Sequence, residues 1–320
     1  MNTTRLRSVQ LLPVVLSLLA IPASAAEPPS KTTEPVATPQ AVDTDALLAL
    51  AREDGPHEVA RLRSRDGLRN GPDYRGGTIH YPTTLEGPLP IVVICPGFMA
   101  SEGSVRSWGP FLASHGIVAM TIGTNSPRDR PFDRGRALLD GLETARAENV
   151  REGSPLKGRI AVDRGAVAGW SMGGGGAQHA AVKDPTLKAA VAFVPWQPGY
   201  RFDHEVPVLI LGGSRDSTAS TRANARPHFE GVDGDVPKLL YEIEGGNHML
   251  PSDPGNHGGD VGAWTLAWLK VYLEGDERYR GILERRPKTA SIYDASFPEA
   301  EAPISPRPPS DRPASSPTPD

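Results

Sequence analysis

The sequence predicts an α/β domain built on a doubly wound, mostly parallel sheet, with helices on both faces and no large lid. Short, predominantly apolar runs recur along the chain (Ile91–Cys95, Ile117–Ile122, Leu187–Val194, Val206–Leu211 and Leu239–Ile243), each followed by a stretch with helical spacing or a glycine turn. Runs of that length without polar alternation suit strands covered on both faces, and strand–helix alternation gives parallel pairing. A second observation is the segment Val167-Ala168-Gly169-Trp170-Ser171-Met172-Gly173-Gly174-Gly175-Gly176, where a small and β-branched run ends in Gly-x-Ser-x-Gly. That pattern turns a strand sharply into a helix and lifts a serine to the top of a sheet.

The ends of the chain are set aside before the fold is read. Arg5 and Arg7, the apolar core Leu11–Ile21 and the small residues Ala23-Ser24-Ala25 make residues 1–26 an expected signal peptide. Residues 27–45 read as a disordered linker and 298–320, with eight prolines, as a disordered Pro-rich tail. What remains, 46–297, is one domain of roughly 250 residues, within reach of a single α/β core. Without the leader the chain carries 32 basic and 38 acidic side chains, a net charge near −6, so nucleic acid is not an expected partner. The leader's apolar core is short and broken by Pro13, so no membrane anchor is expected either, and the protein should be secreted or periplasmic, and monomeric. Cys95 is the only cysteine; inside an apolar run it reads as a small buried hydrophobe, and the domain has no internal disulfide.

Taken in order, Ala46–Ala51 predicts a short helix and Gly76–Tyr81 an early strand. Ile91–Cys95 and Ile117–Ile122 are strands on either side of a helix over Ser101–His115, where Trp108, Phe111 and Leu112 fall at helical spacing. Asp133–Asn149 carries Ala137, Leu138, Leu142 and Ala145 on one face and reads as a crossover helix. Arg164–Ala168 leads into the serine turn and its helix. Leu187–Val194, Val206–Leu211 and Leu239–Ile243 complete the sheet, with helices over Arg222–Glu230 and Gly259–Glu274 after the last two.

A serine hydroxyl needs a base to take its proton, and the base needs an acid to fix its tautomer. In a sheet of this kind all three belong at the carboxyl ends of strands. Asp216 stands five residues past Leu211 and His248 five past Ile243, and the order Ser171, Asp216, His248 is the one the α/β-hydrolase fold requires. Asp203 precedes its strand, and Asp253 and Asp260 follow the histidine; His257, in the loop after His248, is the competing base. Two backbone amides must also face the oxygen that becomes negative: Met172, directly after the serine at a helix start, and Phe98, in the turn Pro96-Gly97-Phe98-Met99.

The run Ile91–Ser126 with Pro96-Gly97-Phe98, Trp108-Gly109-Pro110 and Ala113-Ser114-His115-Gly116, continued by Gly169-Trp170-Ser171-Met172, Val194-Pro195-Trp196, Asp216-Ser217 and Gly245-Gly246-Asn247-His248, resembles the polyester-hydrolase, lipase and cutinase group of bacterial α/β-hydrolases. That group includes enzymes that cleave poly(ethylene terephthalate). The resemblance implies Ser171 as nucleophile, His248 as base, Asp216 as its acid, and Phe98 and Met172 as amide donors. It also implies Trp196 and the Phe98 ring as walls of an open cleft for an acyl unit, with Trp170 and Met249 beside them. The chain departs from the group in having Trp170 where many cutinases have histidine, Phe98 where tyrosine is common, and Met249 where an aromatic follows the histidine. The group's carboxyl-terminal disulfide cannot form.

The expected activity is therefore that of a secreted serine esterase of cutinase type, acting on short-chain or polymeric esters and needing no cofactor or metal. The alternatives are a hydrolase of small soluble esters, lactones or lipids, as in dienelactone hydrolases and acetylhydrolases; a peptidase; and a non-catalytic binding protein on the same fold.

Overall fold

A computed structural model describes residues 43–298; the expected leader, residues 27–42 of the linker and 299–320 of the tail lie outside them. Nine strands form one sheet: β1 (Val59–Arg63), β2 (Tyr74–Pro82), β3 (Leu89–Cys95), β4 (Val118–Thr124), β5 (Ile160–Trp170), β6 (Ala189–Phe193), β7 (Val208–Gly213), β8 (Lys238–Ile243) and β9 (Ala290–Ser296). Their order across the sheet is β1-β2-β4-β3-β5-β6-β7-β8-β9. The inner six, β4 to β8, run parallel, and β1, β2 and β9 pair antiparallel at the two edges. This is the arrangement of the α/β-hydrolase fold.

Because successive side chains on a strand face opposite ways, β3 feeds two cores. Val92 and Ile94 pack with helices α1 (Thr44–Ala51), α2 (Trp108–Ser114), α6 (Asp260–Leu269) and α7 (Arg280–Glu284). Ile91, Val93 and Cys95 pack with α3 (Pro131–Ala147), α4 (Met172–Lys183) and α5 (Ala225–Gly231). Each such side chain, fully buried, contributes about 1.5–3 kcal/mol of transfer free energy. Cys95 is a free, wholly buried thiol, and burial pushes its pKa up to about 11.

The structure corrects several expected helices for steric reasons. The helix expected over Ser101–His115 is a 3-10 turn at Glu102–Val105 followed by α2, which begins only at Trp108. A continuous helix would need an amide hydrogen that Pro110 lacks; restarting at Trp108 puts the proline in the first turn, where no intrahelical partner is required. The helix expected from Arg222 likewise begins at Ala225, with Pro227 in its first turn. The expected Gly259–Glu274 helix is α-helical to Leu269 and then widens into a π-turn, Lys270–Glu274, ended by Gly275 at φ +75°.

The direction of winding reverses between β3 and β5, which lie side by side with Cys95 opposite Gly169. In an open parallel sheet such a reversal leaves a crevice at the carboxyl ends of the strands. The loop after β3 and the turn after β5 both open there.

Candidate active site

Ser171 occupies φ 58°, ψ −117°, a conformation that a residue with a Cβ adopts only under constraint. Its amide donates to the Phe193 carbonyl (2.9 Å), and its own carbonyl accepts from Trp196 N–H (2.9 Å) and Gly175 N–H (3.1 Å). The turn is tight enough that a Cβ on Gly169 would lie 2.1 Å from the Gly173 carbonyl oxygen, so only glycine fits at that corner. On the β3 side a Cβ on Gly97 would stand 2.9 Å from the Ser171 Cβ. The loop after β3 therefore passes directly over the serine.

The three residues picked out by chain order meet. His248 Nε2 lies 2.9 Å from Ser171 Oγ, and His248 Nδ1 lies 2.7 Å from Asp216 Oδ2. The other Asp216 oxygen accepts from the Thr218 and Ala219 amides, both at 2.8 Å. Burial pushes the Asp216 carboxyl up, but the hydrogen bond from His248 and the two amides outweigh it and hold the group below its ordinary range. An ionised carboxylate only accepts, so His248 carries its proton on Nδ1 and turns the Nε2 lone pair to the serine hydroxyl. His257, the competing base, bonds to neither Ser171 nor Asp216 and sits in the following loop at φ 54°.

The expected amide donors frame the same serine. Gly97 to Ala100 form a turn closed by Ala100 N–H to Gly97 O (3.3 Å), with Met99 at φ 56° and its amide on the Pro127 carbonyl (2.8 Å). The Phe98 amide has no acceptor among the described residues, and Met172 N–H begins α4, where a first-turn amide has no intrahelical partner. A serine hydrogen-bonded to a histidine that a carboxylate holds is chemically suited to acyl transfer.

Comparisons with known proteins give the family. Residues 35–303 match the PET hydrolase-like family model. The chain belongs to the PET hydrolase-like family. It is 35% identical to cutinase cut1 of Thermobifida fusca over 285 residues, 88% of this chain and 82% of that protein. It is 35% identical to cutinase 2 of Thermobifida cellulosilytica over 81% of this chain and 93% of the relative. With the bis(hydroxyethyl) terephthalate hydrolase of Streptomyces coelicolor it shares 34% identity over 73% of each. By family the chain is a carboxylic ester hydrolase.

The four residues expected to contact substrate fall into two kinds. Phe98 and Met249 are 51% and 55% exposed, next in sequence to Gly97 and His248 respectively, and Trp196 is half-buried. Trp170, by contrast, is only 6% exposed, and its indole N–H donates to the His248 carbonyl (2.9 Å). Trp170, expected beside the cleft walls, thus braces the loop that carries His248.

Several neighbours of the site were absent from the sequence reading. Gln197, next to Trp196, donates its amide to Asn224 Oδ1 (3.0 Å), accepts from His228 Nε2 on its carbonyl (2.9 Å) and meets His179 Nε2 with its side-chain oxygen (2.9 Å). No sequence signal joins residues that distant along the chain. Arg134, wholly buried in α3, is the other omission, and it left a trace: it lies one turn before Ala137 and Leu138, on the apolar stripe itself.

Proposed function

We propose that the protein is a secreted serine esterase of cutinase and polyesterase type, acting through an acyl-enzyme on short-chain or polymeric, aliphatic or aromatic esters. The observation that carries this is the hydrogen-bonded series Ser171–His248–Asp216 beside the unoccupied Phe98 and Met172 amides. Ser171 Oγ attacks the ester carbonyl carbon as its proton passes to His248 Nε2. The carbonyl oxygen, now negative, is held by the two amides. Collapse expels the alcohol, which takes the proton from His248 and leaves the acyl group on Ser171. Water then attacks the acyl carbon, gives a proton to His248 and displaces the acid, and Ser171 recovers its hydrogen. The exposed Phe98 and the half-buried Trp196 offer apolar area for an acyl unit at small cost in rotamer entropy, and the exposed Met249 adds to that area. The cutinase relatives support the polyester side of this reading, and the charged start and apolar core of residues 1–26 support export.

The test is hydrolysis of p-nitrophenyl acetate, butyrate and a long-chain ester by exported wild type and Ser171→Ala, then the same pair on polyester film, with the mass of the exported chain fixing the leader's end. Turnover of short esters should vanish in the variant, and soluble products should leave the film only with wild type. Short-ester turnover over an untouched film would move the function to small soluble esters; equal rates in both proteins would remove Ser171 from the chemistry.

A further inference from the structure

Arg134 is 0% exposed, yet among the described residues no carboxylate pairs with it. Three of its N–H donors go instead to backbone: Nε donates to the Asp129 carbonyl (2.9 Å), one terminal nitrogen to Pro96 O (2.9 Å) and the other to Pro127 O (3.0 Å). The nearby Cys95 thiol, its pKa raised to about 11 by burial, is neutral and supplies no counter-charge. A buried cation without an anion costs several kcal/mol, and an apolar side chain would fill the space more cheaply. What the guanidinium alone can do is hold three carbonyls at fixed angles in one plane.

One of those carbonyls leads into the loop over the serine, and a second, in the loop after β4, holds it. Pro96 O is the last acceptor before Gly97-Phe98, and Pro127 O also receives the Met99 amide (2.8 Å). The Phe98 peptide unit is thus pinned from both sides, through Pro96 behind it and through Pro127 to Met99 ahead of it. Beside the two held carbonyls, Phe98 N–H meets no acceptor among the described residues, while Met99, a β-carbon residue, is kept at φ 56°. Gly176 on α4 allows the close approach: a Cβ there would meet the Arg134 Cβ at 2.8 Å. The same arginine is therefore packed against the helix that begins with the Met172 amide.

We infer that Arg134 is a positioning residue for the oxyanion site: through the Pro96 and Pro127 carbonyls it sets the Phe98 amide against the oxygen that turns negative on Ser171. The inference rests on the proposed serine mechanism. An amide displaced by about 1 Å from such a site costs on the order of 100-fold in rate, and the loss falls on the transition state, leaving ground-state binding nearly unchanged.

The experiment compares wild type, Arg134→Lys and Arg134→Met on p-nitrophenyl butyrate, with circular dichroism to count folded protein, together with the affinity of a trifluoromethyl ketone that adds to the serine. Per folded molecule, kcat should fall roughly 10- to 100-fold in both variants with KM within about threefold, and the ketone should weaken by the same factor as kcat/KM. Added guanidinium ion should restore part of kcat in Arg134→Met and none in Arg134→Lys. Unchanged kcat per folded molecule, or a loss confined to KM, overturns the positioning role while Ser171→Ala still tests the mechanism on its own. A crystal structure of wild type phosphonylated on Ser171 decides the matter if neither variant folds. The phosphonyl oxygen should lie within hydrogen-bond distance of Phe98 N–H with all three Arg134 bonds in place; an oxygen turned away from Phe98 overturns the inference.

Discussion

A single proton position governs the site at the level of residues. Asp216 accepts from His248 Nδ1 and two amides, and that count of donors keeps it charged in a largely buried place. Asp216→Asn keeps the shape but supplies an amide N–H where only an acceptor serves, so the imidazole turns its proton toward Ser171 and can no longer accept one. Ester turnover should fall by roughly 10⁴, with the melting temperature nearly unchanged; steady-state kinetics beside a thermal melt checks both. A fall of less than tenfold would mean that His248 finds its tautomer by other means. This acid and its partners were legible in the sequence because order and distance past a strand end fix them. The bond from Trp170 was not, because only the folded loop brings the His248 carbonyl to its indole.

Elements were legible where burial imposes a pattern. The inner strands β3, β4, β6, β7 and β8 are apolar on both faces and announce themselves. The edge strands β1 and β9 do not: Val59–Arg63 and Ala290–Ser296 mix charged and apolar residues and are only partly buried, as edge strands tend to be. β9 matters nonetheless, because Tyr293 on it accepts from the indole of Trp264 in α6 (2.9 Å) and donates to the Leu283 carbonyl in α7 (2.7 Å). Tyr293→Phe strands a donor and an acceptor in the core while removing little apolar area. It should cost about 1–3 kcal/mol of stability and leave kcat unchanged, since β9 is the outermost strand next to β8. Chemical denaturation with the variant's esterase rate reads both; an unaltered midpoint would mean that water replaces the hydroxyl.

At the scale of the whole molecule, the charge state of buried histidines sets a limit on acid tolerance. Burial pushes His80, His204 and His228 each down to about 4, from an ordinary value near 6.5. They are neutral when folded, and between pH 6.5 and about 4 the unfolded chain binds protons that the folded one refuses. Stability therefore rises with pH across that window and is lost as the medium is acidified, by roughly 3 kcal/mol for each histidine once pH 4 is reached. Asp216 acts in the same direction lower down, since its depressed value gives stability that goes only as pH falls through the folded pKa. His228 is the one to vary, because it bonds Gln178 with one nitrogen and the Gln197 carbonyl with the other, beside Trp196. His228→Gln should be less stable than wild type at pH 7, where the imidazole is neutral and satisfied. The deficit should shrink as pH falls to 4.5, because the variant has one proton fewer to pull it toward the unfolded state. Melting temperatures of both proteins at half-unit steps from pH 7 to 4.5 give the comparison: converging curves assign His228 its share of the acid sensitivity, and parallel curves would remove His228 from it.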